Sequence, residues 1–398
     1  YISGGAWQPY RHLVLISNQL VRAVTNPEQT FMSIQVSVRH GKALDLSTPI
    51  PTPSGFRRIG DLSEGDQVFA GDGSICHVAA VSPVWEERPC YEVTFSDGET
   101  LVADAEHEWV VERGARTMVM TTAQIAAWLA KPRRDAIAIP TTCAEYPTQQ
   151  LPVDPWVLGS WLGNGSHSSG GVACHPDADH SARGRVERRT GLEITRYAST
   201  RGYAGTRGAH FGVVGLWPAL KSLGYGGRGN RFIPDVYLRG DRQQRLDLLN
   251  GLIDSDGHVA PDGQVEFCSI VRELAEQVKT LVNSLGVKAS LIEGDATLDG
   301  RFISRKYRVM FYMAQAAALP RKATRCRNAS TPRARRYVAS VERVADRDTV
   351  CIQVTSKDHT FLCGRSHVRT HNSELVSKYF IVWFLGLFPD ANVLIVSY

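Results

Sequence analysis

The feature that most constrains this chain is a phosphate-loop motif that breaks off after its lysine. Ile34 to Val38 alternates β-branched and polar side chains, as a strand does, and runs into Arg39-His40-Gly41-Lys42. A phosphate loop continues with Ser or Thr at a helix start, which places a hydroxyl on Mg²⁺ and the Lys on the phosphates. Here Ala43-Leu44-Asp45-Leu46-Ser47-Thr48-Pro49 follows instead, which is no helix start. The missing half stands near the other end. Ser373-Glu374 opens a segment with Leu375, Val376, Tyr379, Phe380 and Trp383 at helical spacing, and Pro389-Asp390 then turns into the apolar strand Val393 to Val396. Joining Lys42 to Ser373 completes a strand, loop, helix and strand. On that reading Tyr1 and Tyr398 are expected to be arbitrary cuts in a longer host.

Composition sets wide bounds. At ~100–200 residues per domain the chain has room for two to four domains, each with its own core. With 43% hydrophobic and 21% charged residues it is neither a disordered tail nor a coiled coil. A net charge of +5 decides nothing unless the charges cluster. The apolar run Phe380 to Phe388 is broken by Gly386 and is too short for a transmembrane span, so no membrane partner is expected. Eight cysteines with no CxxC pair and no signal peptide read as reduced thiols of an unsecreted protein.

The joined sequence Val38-Arg39-His40-Gly41-Lys42-Ser373-Glu374-Leu375 resembles the ATPase domain of phage terminase large subunits, whose phosphate loop often reads Arg-His-Gly-Lys-Ser. Val36 stands where an ordinary loop has its first Gly, a departure that this family shares. The resemblance implies that 1–42 and 373–398 are fragments of an α/β P-loop ATPase, with Gly41, Lys42 and Ser373 holding ATP and Mg²⁺ once joined. It further implies phage packaging machinery as partner and the cytoplasm of an infected bacterium as setting. No Walker B acidic strand lies in these pieces, so the chain is not a complete ATPase.

The insertion, 43–372, ends in His371-Asn372 before Ser373. An Asn side-chain nitrogen can attack its own carbonyl carbon while the preceding His assists proton transfer. This dipeptide at the break resembles the end of an intein. Ile59-Gly60-Asp61-Leu62 and Glu64-Gly65-Asp66-Gln67-Val68, with alternating strands such as Cys90 to Phe95 and Thr100 to Ala103, resemble the turn-and-strand pattern of the HINT β-fold. Most inteins begin with Cys or Ser; Ala43 has no nucleophile. Either that residue inactivates the element, or the chain is similar to class 3 inteins, which use an internal Cys. That class matches Ala43, His107, Trp109, Cys351 and Thr370. Each alone also has a packing explanation: Trp109 as core filler, Cys351 as a small hydrophobe, Thr370 as a strand residue. The resemblance implies that Cys351 attacks the Lys42 carbonyl, His107 protonates the departing Ala43 amine, and Ser373 takes the acyl group. Asn372 then cyclises with help from His371 and His359. Asp104 either orients His107 or caps a turn. No cofactor is expected for this single-turnover self-processing.

Between the HINT halves, Leu248-Leu249-Asn250-Gly251-Leu252-Ile253-Asp254-Ser255-Asp256-Gly257 resembles the motif of LAGLIDADG homing endonucleases, with Trp156 to Gly165 as its partner. The resemblance implies an α+β domain in which Asp256 and the partner position hold Mg²⁺ and cut double-stranded DNA, the uninterrupted allele of the host gene. The partner position is Asn164, a neutral amide, so the enzyme is degenerate at that point. Asn230-Arg231-Phe232-Ile233-Pro234 resembles the family's basic motif before the second helix. Basic clusters at Arg183, Arg185, Arg188 and Arg189 and from Arg321 to Arg336 are expected to meet phosphates. The expected domains are host fragment 1–42, mostly β HINT splicing domain 43–150 and 337–372, endonuclease 151–336, and host fragment 373–398. Two rivals remain: a splicing-dead insertion that only binds or cuts DNA, and a HINT domain that cleaves without ligating.

Overall fold

A computed structural model of the protein describes residues 42–132, 135–166, 169–174, 182, 184–189, 194–198, 209–226, 231–327 and 335–371. Of the expected host fragments only Lys42 is described; Gly41 and Ser373, and Asn372 before it, lie outside the described residues.

Residues on either side of the central block form the β part. Its largest sheet has nine strands and is built from both ends of the insertion. The short strand Leu44–Asp45 lies between Thr100–Asp104 and Arg347–Val350, antiparallel to both, with Leu44 opposite Ala103 and Val350. Alternation drives these strands to pack on one face: along Ile75–Val81, Cys76 and Val78 point inward while Ile75 and His77 stay exposed. The enclosed core includes Leu44, Ile50, Val68, Val93, Phe95, Trp109, Ile125 and Phe361.

The central block enters and leaves at one place. Ile137–Pro140 pairs antiparallel with Arg335–Arg343, Ile139 opposite Arg336, so an excursion of nearly two hundred residues leaves the β framework closed. Its scaffold is a pair of helices, Pro155–Asn164 and Arg242–Asp256. The first starts on the N-cap Asp154 followed by Pro155, and the second on a capping box of Asp241 and Gln244. Both helices are buried along most of their length; the first is largely apolar, while the second also buries Arg245, Asp247, Asn250 and Asp254. Their backbones touch at Gly159 and Gly251: a Cβ on Gly159 would lie 2.2 Å from the Leu248 carbonyl oxygen, and one on Gly251 2.1 Å from that of Trp156. Only glycine allows that approach. A four-stranded sheet and, earlier in the chain, a three-stranded one flank the pair.

The two parts meet across a buried polar seam. Arg245, fully buried, donates to the carbonyls of Gly240 at 2.9 Å and Ser284 at 2.7 Å and to that of Ala144. Asn283 donates to Ser366 Oγ at 3.0 Å, and Thr141 to the Gly286 carbonyl at 2.7 Å. Such groups are costly to bury unless paired, and here they are. Among the described residues no helix is long and apolar enough to cross a membrane.

Candidate functional site

The ladder of the first strand builds the upstream site. Continuing its register by one residue sets Ala43 opposite Cys351 on one side and Asp104 on the other, where the Asp104 N–H donates to the Ala43 carbonyl at 2.9 Å. Ala43 is fully buried and Cys351 is 3% exposed. The Cys351 backbone is pinned to Ser82 in both directions, at 3.0 and 2.9 Å. Among the other thiols, burial pushes Cys76 and Cys90 up to about 11, and Cys363 higher still.

His107 stands where the two ends of the insertion meet. Its Nε2 is 2.5 Å from Thr370 Oγ1, and that hydroxyl also reaches the Glu108 carbonyl at 3.3 Å. Burial pushes the His107 pKa down to about 3, against the opposing influence of the Lys42 backbone carbonyl beside the ring. Nδ1 has no hydrogen-bond partner among the described residues. The imidazole is therefore neutral and has one ring nitrogen able to hold a proton. Trp109 fixes its place: the rings meet edge to face at 4.8 Å, and Trp109 Nε1 donates to Thr122 Oγ1 at 3.0 Å.

The downstream strand Val368–His371 pairs with Thr360–Cys363, His371 opposite Thr360. His359 is thus the neighbour in sequence of the residue facing His371, and its backbone holds a φ of +53°. Asp104 settles as a turn and junction residue. One carboxylate oxygen accepts from the Glu106 N–H at 2.8 Å and the other pairs with Arg88 at 2.6 Å, so the side chain does not orient His107.

Sequence reasoning missed Glu108. Its Oε2 lies 2.7 Å from Lys42 Nζ and 3.3 Å from His371 Nδ1. Burial raises its pKa, and His371 and Lys42 together outweigh that and hold it below the ordinary value. An acidic residue between His107 and Trp109 was the available signal, but nothing in the sequence says which way it points.

In the central block the two helices end side by side. A Cβ on Gly163 would lie 3.2 Å from Asp256 Cβ, so Asn164 and Asp256 share one solvent-exposed end. Each end is closed by a cation. Arg231 donates to the carbonyls of Leu162 at 2.5 Å and Gly163 at 3.1 Å, and to that of Gly165. Lys322 donates to those of Ile253 at 2.6 Å and Asp254 at 3.1 Å, and burial pushes its pKa down to about 8. Packing on its protein side raises the Asp256 pKa against the pull of Lys322 and Arg231. Among the described residues no group of three or more His, Cys, Asp or Glu could hold a metal ion.

The expectation that both basic clusters meet phosphates is corrected in part. Arg189 bridges Asp154 and Asp247 at 2.8 and 2.7 Å, with Arg185 on Asp247 at 3.4 Å. Arg336 is buried against Asp97 at 2.6 Å, Arg335 pairs with Glu112, and Lys322 is committed to its helix end. Carboxylates distant in sequence claim the four arginines and backbone carbonyls claim Lys322; Arg188, Arg321 and Arg327 remain exposed. Arg183 and Arg333 lie outside the described side chains.

Residues 243–312 match the LAGLIDADG-like domain family. The chain is 33% identical over 364 residues to a protein of Mycobacterium intracellulare named replicative DNA helicase DnaB, and 46% identical over 96 residues to its namesake in Mycobacterium leprae. The first alignment takes 84% of this chain and the chain spans 59% of that relative; the second takes 24% and spans 16%. Among solved structures, the MchDnaB-1 intein covers 83% of this chain and all of its own at 16% identity and a TM-score of 0.30. Mesophilic variants of the homing endonuclease I-DmoI cover 46% of this chain and 97% of their own, at 12% identity and a TM-score of 0.30. The architecture is of the expected kind, a mostly β part interrupted by an α+β block, and within that block residues 243–312 match the LAGLIDADG-like family. A terminase host is not supported, because the named relatives are replicative helicases, and the packaging partners expected with it lose their support too.

Proposed function

We propose that residues 43–372 excise themselves by protein splicing and join Lys42 to Ser373. The observation that carries this is the convergence at Ala43, whose own side chain offers no nucleophile: the continued register sets Cys351 across from it, and His107, close to the Lys42 backbone, meets Thr370. In this reading Cys351 Sγ attacks the Lys42 carbonyl carbon, a thioester forms and the Lys42–Ala43 amide breaks. The thiol proton passes to the Ala43 amine. Neutral His107 serves as relay, taking the proton on its open nitrogen and returning it to the leaving amine. The Ser373 hydroxyl then takes the acyl group and returns the proton to Cys351. Asn372 cyclises onto its own carbonyl carbon, assisted by His371, and frees the Ser373 amine, which displaces the ester to leave an amide.

The host is read as a P-loop protein interrupted inside its phosphate loop, its ATP and Mg²⁺ site completed only by ligation. The aligned share of the first relative, 84% of the chain, is close to the share taken by 43–372, so the likeness lies mainly in the insertion and leaves the host kind open to the spliced product. The division into 43–150 and 337–372 for splicing and 151–336 for DNA is part of this proposal. The central domain is read as a DNA-binding domain. Asp256 and Asn164 would hold Mg²⁺ by one carboxylate and one amide oxygen, a donor set poorer by one charge than two carboxylates, and the metal would supply polarisation of a phosphate.

Mass spectrometry of the expressed chain tests the reading. Splicing gives 1–42 joined to 373–398 and a free 43–372 piece. Unjoined ends would mean a domain that only cleaves, and an intact chain would defeat the proposal.

A further inference from the structure

Lys42, the residue whose carbonyl is attacked, has its ammonium inside the protein, with the side chain 10% exposed. A buried ammonium needs a counter-charge. Glu108 supplies it at 2.7 Å, and the same oxygen, Oε2, lies 3.3 Å from Nδ1 of His371, the residue before Asn372. Glu108 belongs to the strand Glu108–Arg113, next to His107, and its backbone carbonyl accepts from Thr370 at 3.3 Å. One residue therefore grips the upstream junction by side chain and the downstream strand by side chain and backbone.

We infer that Glu108 is the positioning and specificity-determining residue of the upstream junction: it selects a cation at the position before Ala43 and ties that cation to His371. The inference rests on the splicing reading for its consequence, but the ion pair stands by itself. After joining, Lys42 would be the phosphate-binding lysine of the host. In the precursor a carboxylate takes the place of the phosphate. The insertion thus carries an internal anion matched to the lysine it interrupts, and the precursor holds that lysine away from nucleotide.

Two measurements test this on the full chain. In a form blocked by Cys351→Ala and Asn372→Ala, reductive methylation of Lys42 is followed by mass spectrometry, with Glu108→Gln expected to raise its labelling about tenfold through loss of a charge-assisted pair. Unchanged labelling overturns the inference, whether or not the chain splices. In the unblocked form, Lys42→Met is expected to slow upstream cleavage about tenfold when Glu108 is present and scarcely at all in the Glu108→Gln background, the signature of direct coupling. Lys42→Arg keeps the cation and is expected to keep the rate within a few-fold. Equal slowing in both backgrounds overturns the role, and so does equal slowing by Lys42→Met and Lys42→Arg with Glu108 in place, a comparison that a folding defect of Glu108→Gln does not touch. Absence of any upstream cleavage in the unaltered chain defeats the splicing reading, while the labelling still decides the pair.

Discussion

The β framework and its central block solve the same assembly problem with opposite results at their working ends. Both bring together segments far apart in sequence: Ala43 and Cys351 across a ladder, Asn164 and Asp256 at the ends of touching helices. At the first meeting point Ala43, Cys351 and His107 are all buried. At the second both helix ends are capped by cations, and the two exposed terminal side chains are one carboxylate and one amide. Packing and chemistry are thus separable. Glycines that let the helices touch and caps that finish them serve stability whether or not DNA is cut.

The largest expected effect breaks the first half of the comparison. Cys351→Ala removes the nucleophile while its backbone bonds to Ser82 can stay. Cleavage after Lys42 is expected to fall at least about a thousandfold, as for loss of a covalent nucleophile. Anti-tag blotting or intact-mass measurement over days reads it; cleavage at near the original rate would mean that another group attacks Lys42.

Next comes the helix contact. Gly251→Ala forces a methyl to within 2.1 Å of the Trp156 carbonyl and is expected to destabilise the central block by about 3 kcal/mol. Urea unfolding followed by tryptophan fluorescence measures this. Splicing is expected to persist within about twofold, since the entry and exit strands close the framework by themselves. Loss of splicing in step with stability would show that the polar seam through Arg245 couples the two parts.

What the sequence disclosed differs between the parts for a physical reason. The junctions proposed above rest on the sequence, because covalent chemistry needs particular residue types at such ends and a broken phosphate loop suggests where they lie. The touching helices were readable because close approach demands glycine. Glu108 was hidden, since its importance depends on a side chain meeting Lys42 and His371 from two chain-distant strands. The basic clusters misled for the same reason: Asp97, Asp154 and Asp247, which neutralise Arg336, Arg189 and Arg185, are brought in only by folding. The kind of host was not readable from so short a loop, which different ATP-binding proteins can share.

Acid is expected to weaken the β framework. His107 and His367 are held down to about 3, each mainly by burial, the second with the charges of Arg245 and Arg336 beside it. Unfolded histidine binds a proton near pH 6.5, so as pH falls from there toward 3 the unfolded state gains protons that the folded state lacks. Stability is complete above about pH 6.5 and is lost below it, at about 1.4 kcal/mol per pH unit for each histidine. Urea midpoints from pH 7 to 4 read the slope. His367→Phe is expected to remove one histidine's share; an unchanged slope would mean that His367 charges freely in the folded protein.

The remaining contrast, amide against carboxylate, is open to repair. Asn164→Asp restores a second negative oxygen beside Asp256 at an exposed helix end, where Arg231 already caps the backbone and favours the new charge. A second carboxylate strengthens the hold on a hard divalent cation. The test uses a DNA duplex encoding the uninterrupted junction, from Arg39 through Lys42 directly into Ser373, with Mg²⁺. Cutting is expected to rise about tenfold over the unaltered chain, in line with one added charge-assisted contact to the metal. DNA affinity in the absence of metal should stay the same or fall slightly, because the added charge repels phosphate while Arg188, Arg321 and Arg327 still face solvent. Efficient double-strand cutting by the unaltered chain would abolish the contrast and show that Asn164 serves as a full metal ligand. If Asn164→Asp binds the duplex and leaves it whole even at high Mg²⁺, the helix ends lack a feature beyond charge, and the amide is not what separates the two parts.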